Sequence, residues 1–287
     1  MKIKIVTRTN LFIASSSLLF HKFLLRPVFL NSKRLALLNV EFKKMKIRLA
    51  HLYGRIMNTY GDDGNLLVLS RRLKTRGFDV GIEMVDVGYK LKENEFDFYF
   101  FGGGQDNNQK IAAVDLLKNK KILYKEIISR NVPLLAVCGG YQLLGQNYEF
   151  GNEKLEGLKI FPVSTKAGNV RLVGNIVIKP NPSFGLEKKI VGFENHSGYT
   201  TLSKISEPFG EVVSGHGNYF KSASEGCVVN NAIGTYLHGP ILAKNPHLAD
   251  MIIKNILTVK GYKGEFIKLD DEIEWRVWED QLKARND

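Results

Sequence analysis

Apolar positions along this chain fall into two regimes that change near Gly151. Before it, short unbroken apolar runs alternate with longer stretches whose apolar residues recur every three or four positions. Lys46 to Leu52 is the first such run and predicts a buried strand. Leu66, Leu67, Leu69 and Leu73 then predict a helix to Arg76. Asp62-Asp63-Gly64-Asn65 supplies its cap residues and Gly77 ends it. Asp79 to Val85 alternates like a strand. Phe96 to Phe101 is a compact strand followed at once by Gly102-Gly103-Gly104, and a helix from about Asn108 to Ser129 leads to a strand at Pro133–Val137. Strands alternating with helices of this length predict an α/β fold on a mostly parallel, doubly wound sheet, whose ligands gather at the carboxyl ends of the strands.

Beyond Gly151 the runs become short, β-rich and punctuated by Gly and Asn, as in Leu172 to Ile178, Ile190 to Phe193, Gly210 to Val213 and Gly226 to Val229. These predict antiparallel strands extending the sheet. Gly234-Thr235-Tyr236-Leu237-His238-Gly239-Pro240 reads as a strand ending in a histidine, before a helix from about Pro246 to Val259. The polar, acidic tail from Leu269 to Ala284 carries Trp275 and Trp278 three apart and predicts a helix packed on the body or on a partner.

At 287 residues the chain can bury a full core. Its two cysteines, Cys138 and Cys227, exclude a disulfide framework and fit a reduced, cytoplasmic setting. No apolar run reaches the length that a membrane-spanning helix needs. The net charge of +12 suggests nucleic acid, but its distribution does not: residues 1–44 hold nine Lys/Arg and one acid, which leaves only +4 on the rest. That leader has a basic start, an apolar stretch from Leu11 to Phe20 and then Arg26-Pro27 and Lys33-Arg34, with no small-residue cleavage site following. A membrane-surface anchor, a targeting segment and a start codon placed too early all fit it. We adopt the last, with the folded unit opening near Met45.

The chemistry concentrates in Pro133-Leu134-Leu135-Ala136-Val137-Cys138-Gly139-Gly140-Tyr141-Gln142. An apolar run ending in a cysteine, two glycines and the start of a helical pattern is the form of a nucleophile elbow. A thiol at a helix N-terminus also meets the positive end of the helix dipole. A buried packing cysteine fits the run equally well, so the other strand ends must decide. Gly102-Gly103-Gly104 can lie on the same rim and offer N–H groups to an oxyanion together with Gly139. His238, at a strand terminus far away in sequence, is the natural base. His196, in Glu194-Asn195-His196-Ser197-Gly198, is its one serious rival.

These motifs resemble the class I glutamine amidotransferases of the cobyric-acid-synthase (CobB/CobQ) type. The resemblance is closer still to the glutaminase subunits (GatD) of the MurT/GatD lipid II isoglutaminyl synthases. Asn58 to Asn65, Leu155 to Leu158, Val191 to His196 and Gly234 to Leu242 carry it as well, over about Met45 to Leu257. It implies an amidotransferase domain at 45–257 and a helical tail at 258–287. Cys138 would attack the side-chain amide of L-glutamine, with His238 as general base and acid and Gly104 and Gly139 as oxyanion donors. Arg171 would meet the substrate's α-carboxylate, for which a guanidinium fork is suited. Gln142, Asn195 and His196 would complete the pocket. The resemblance further implies no metal or cofactor in this chain; ATP and Mg would belong to a MurT-like Mur ligase partner in a heterodimer. That ligase would use the ammonia to amidate the D-glutamate of the lipid II stem peptide, in the cytoplasm at the inner membrane face. Most relatives carry an acid two residues after the histidine, where this chain has Pro240. The implication is a dyad whose third member comes from the partner, so that the subunit alone is a poor glutaminase. Two rivals stand beside this reading: an amidotransferase for cobyrinate synthesis, and a catalytically silent scaffold.

Overall fold

The computed structural model describes residues 45–284; the basic leader lies outside them. The first strand, β1 (Lys46–Leu52), opens a six-stranded sheet with β2 (Asp79–Val85), β3 (Phe98–Phe101), β4 (Leu134–Val137), β11 (Cys227–Val229) and β12 (Ala232–Thr235). Its order is β11-β12-β4-β3-β1-β2, and every pairing except β11 with β12 is parallel. All residues of β3 and β4 are buried, which is why those strands read as unbroken apolar runs.

Helix α1 (Gly64–Thr75) follows β1 and closes at Gly77, whose φ of +89° only glycine adopts without strain. Asp62 and Asp63 make no side-chain cap on it. Asn65 fastens its start instead, donating to the Asp62 carbonyl at 2.9 Å and accepting from the Leu242 amide at 2.9 Å. The helix predicted over 108–129 is two, α2 (Asp106–Asn119) and α3 (Ile122–Ile128). Between them the chain turns so that the fully buried Lys120 ammonium can pair with Asp115 and donate to the Asp86 and Tyr89 carbonyls. A buried charge needs such partners, and the helical pattern gives way to supply them.

Of the runs expected as an antiparallel extension, Gly226–Val229 extends the first sheet as β11, while the others belong to a second, seven-stranded sheet. It contains β5 (Asn147–Phe150), β6 (Glu153–Glu156), the long β7 (Val163–Pro180), β8 (Ile190–Leu202), β9 (Gly210–Ser214), β10 (Ser224–Glu225) and β13 (Leu237–His238). Strands β7 and β8 run antiparallel, with a register irregularity between Ala167 and Leu172. The segment expected as one strand through His238 is split. It runs parallel to β4 up to Thr235, leaves at Tyr236, and pairs with β8 in the other sheet at Leu237 and His238.

Between β4 and β5 lies the short α4 (Gly139–Leu143); α5 (Ile241–Lys244), α6 (Pro246–Val259) and α7 (Glu272–Lys283) complete the described chain. The tail helix α7 is fastened by its aromatics. The Trp278 indole donates to the Lys189 carbonyl at 2.9 Å, Trp275 stacks on His247, and the Lys188 ammonium lies over both indoles. Among the described residues no helix is long and apolar enough to cross a membrane.

Candidate active site

Cys138 is the hinge between β4 and α4, and its φ of 53° and ψ of −107° are unusual for a residue with a side chain. The turn is held on both sides: the Cys138 amide donates to Thr235 O at 2.9 Å and the Gly140 amide to Gly102 O at 3.0 Å. A Cβ on Gly140 would run into the Phe101 carbonyl, so the corner requires glycine there. Strain of this kind, kept in place by surrounding hydrogen bonds, belongs to sites where a side chain must be presented at a fixed angle.

Cys138 and His238 flank one point beside Gly103. The position that a Cβ on Gly103 would occupy lies 3.3 Å from Cys138 Cβ, 3.8 Å from its Sγ and 3.6 Å from His238 Cε1. The glycine loop also meets the elbow through its next residue, since a Cβ on Gly139 would sit 3.1 Å from the Gly104 nitrogen. Among the described residues, neither the Gly104 nor the Gly139 N–H donates to a backbone carbonyl. Two free donors side by side next to a nucleophile can stabilise an oxyanion. Gln109 fixes the loop by donating to Gly104 O at 3.0 Å.

The expectation of a missing third member is corrected by the structure. Nδ1 of His238 donates to Asp62 Oδ2 at 2.7 Å, and Asp62 is 1% exposed. The orienting acid comes from the loop before α1, 176 positions upstream, and no residue near Pro240 is needed. Nε2 is left as the ring nitrogen without a hydrogen bond. Burial pulls the His238 pKa down, but the Asp62 hydrogen bond and the neighbouring Cys138 sulfur outweigh it and raise the pKa to about 10. The Tyr60 ring covers the imidazole edge-on at 4.7 Å between centroids. Behind the site, the buried Glu225 carboxylate accepts from the Tyr236 amide at 2.6 Å and from the Thr235 hydroxyl at 3.0 Å. It thereby fixes the crossing between the sheets, and burial raises its pKa to about 8.

A polar cavity of about 460 Å³ opens beside Cys138. Gly104, Gln142, Arg171, Asn195 and His196 line it, so every other residue singled out in the sequence except His238 and Gly139 borders the same space. Arg171 rises from the irregular stretch of β7, donating through Nε to Asn195 Oδ1 and through Nη2 to the Tyr60 hydroxyl, both at 2.7 Å. Gln142 is buried, donates to the Tyr236 hydroxyl at 3.2 Å and leaves its Oε1 unpaired. His196 serves the wall. Its ring stacks on Tyr236 at 3.7 Å and Nδ1 donates to Gly198 O at 2.8 Å, while burial drives its pKa down to about 3 and keeps it neutral. It is therefore no rival to His238 as a base. The residues that sequence reasoning missed are Asp62, taken for a helix cap, and Tyr60. Among the described residues no cluster of His, Cys, Asp and Glu could hold a metal ion.

The sequence pattern of the CobB/CobQ-like glutamine amidotransferase domain matches residues 48–246. The chain belongs to this family. It is 42% identical over 217 residues to the GatD subunit of a glutamine-hydrolysing lipid II isoglutaminyl synthase from Streptococcus pneumoniae, covering 75% of this chain and 82% of that protein. The protein of the same name from Staphylococcus aureus is 38% identical over 231 residues, covering 80% and 92%. A PurLQS structure from Thermotoga maritima shares the fold at a TM-score of 0.50 and 13% identity, over 75% of this chain and 99% of that one. The chain is thus an enzyme of the glutamine amidotransferase class, and the scaffold reading gives way.

Proposed function

We propose that this chain is the glutamine-hydrolysing subunit of a lipid II isoglutaminyl synthase. The observation that carries the reading is the Cys138–His238–Asp62 arrangement at the edge of a polar cavity, in a chain 42% identical to a GatD subunit. Cys138 Sγ attacks the carboxamide carbon of L-glutamine, and the oxygen's developing charge falls to the Gly104 and Gly139 N–H groups. His238, protonated through neutrality and oriented by Asp62, gives its proton to the departing nitrogen, which leaves as ammonia. The neutral imidazole then takes a proton from water as it attacks the thioester, and glutamate departs. Arg171 is the one cation among the cavity-lining residues and takes the α-carboxylate.

The ammonia passes to a MurT-like Mur ligase bound as a heterodimer, which uses ATP and Mg to amidate the D-glutamate of the lipid II stem peptide at the inner membrane face. With Asp62 in place the imidazole is oriented within the chain, so hydrolysis does not wait for an acid from the partner. The test is ammonia release from glutamine by the full-length chain, alone and co-purified with a MurT-like ligase, beside amidation of lipid II read by mass spectrometry. Cys138→Ala is expected to abolish both when glutamine is the nitrogen source and to spare amidation from added ammonium. Amidation from glutamine that survives Cys138→Ala overturns the reading.

A further inference from the structure

The cavity beside Cys138 carries one charge of each sign, and the two do not pair with each other. Its lining contains one cation, Arg171, whose hydrogen bonds go to the neutral groups of Asn195 and Tyr60. It also contains one carboxylate, Asp106, which among the described residues makes no ion pair and meets only the Tyr148 hydroxyl at a long 3.4 Å. Burial raises the Tyr148 pKa, so this phenol stays protonated and can donate to the carboxylate. The two charged side chains belong to different elements, β7 and the first residue of α2, and do not neutralise each other. Two further residues of the lining, Gln109 and Gln142, are 3% exposed and leave their buried Oε1 atoms without a partner.

An exposed cation and an exposed anion that do not pair with each other, on the lining of one open cavity with two unpaired amide oxygens, describe the complement of a zwitterion. The two buried amide oxygens are costly to leave unpaired, whereas Asp106 and Arg171 are exposed and exchange water for the ligand on binding. L-Glutamine carries an α-carboxylate and an α-ammonium on the same carbon. With Arg171 assigned to the carboxylate, the ammonium requires an acceptor set, and Asp106 is the anionic member of the one available. We propose that Asp106 binds the α-ammonium group of the substrate and restricts the site to amides of a free amino acid, excluding peptide-linked glutamine and simple amides. This inference rests on the glutaminase reading and adds its specificity determinant.

The test compares L-glutamine with glutaramate, the same amide without its amino group, using the full-length chain alone and with its co-purified ligase. Wild-type protein is expected to favour glutamine by about 10–100-fold in kcat/KM, the range for a hydrogen bond to a charged group. Asp106→Asn should lower kcat/KM for glutamine by that factor through KM, leave glutaramate unchanged and so erase the preference, while Asp106→Glu restores part of it. A second readout does not require turnover. Labelling of Cys138 by a diazoketone analogue of glutamine should slow in Asp106→Asn, while labelling by iodoacetamide should not. Equal losses on both substrates, or an intact preference in Asp106→Asn, overturn the inference and leave the glutaminase reading standing. Wild-type protein that neither hydrolyses glutamine nor reacts with the diazoketone overturns both.

Discussion

In the six-stranded sheet the groups that reach the cavity are offered by backbone. Strands β3 and β4 are buried along their whole length, and at their carboxyl ends they present a glycine loop and an elbow whose N–H groups and single thiol project from fixed turns. In the seven-stranded sheet the groups are side chains: Arg171 and Asn195 on the long β7 and β8, and the buried His238 on the two-residue β13. The first arrangement tolerates little movement, because its geometry is the fold itself. The second can vary its side chains without disturbing the core. In the proposed mechanism one sheet thus sets where the reacting carbon and its oxygen lie, and the other sets what is admitted and supplies the proton.

The largest effect expected on this division is that of Asp62→Asn, which breaks the link from the α1 loop to the second sheet's base. By analogy with loss of the orienting acid from a triad, kcat should fall roughly 10²–10⁴-fold. Steady-state ammonia release checks this. The Asp62 carboxylate raises the His238 pKa, so its loss should also move the alkaline limb of the pH profile to lower pH. The stability sign follows from the same shift. A histidine raised from 6.5 to about 10 contributes its full pairing energy below pH 6.5 and loses it as pH rises toward 10, so wild type and variant should converge in melting temperature at high pH.

Arg171→Met tests the admitting side alone. We expect KM for glutamine to rise about 10–100-fold with kcat nearly unchanged, which initial-rate kinetics will separate. Gly140→Ala tests the rigid side: a methyl against the Phe101 carbonyl should cost about 1–3 kcal/mol of stability, seen in urea unfolding, and should lower kcat while sparing KM. The smallest effect lies at the tail. Burial lowers the His247 pKa to about 4, so the docked state of α7 loses ground as pH falls below 6.5. Because Trp275 and Trp278 are the chain's two tryptophans and both sit on that helix, fluorescence should report its release before the fold melts.

The parts of the site legible in the sequence are those made by local geometry. The elbow at Cys138 and the glycines at 102–104 announce themselves because a strand, a tight turn and a close approach all lie within a few residues. Asp62 was not legible. Its neighbours spell a helix start, and what it does is set by a partner 176 positions away. The break at Lys120 was hidden for a similar reason, since only the burial of its ammonium beside Asp115 overrides the helical pattern. The run Gly234 to Pro240 was correctly rich in strand residues, but a pattern of apolar residues does not say that its two halves belong to different sheets.

That division at Tyr236 has a mechanical consequence. Thiol and imidazole are anchored in separate slabs, and the crossing that carries the imidazole is a single residue, Tyr236, which the Glu225 carboxyl group pins. Sliding one slab over the other by a fraction of a bond length spoils proton transfer long before it melts anything. Reaction rate is therefore the molecule's most sensitive gauge of shear, and any load applied to the outer strands registers first as lost ammonia.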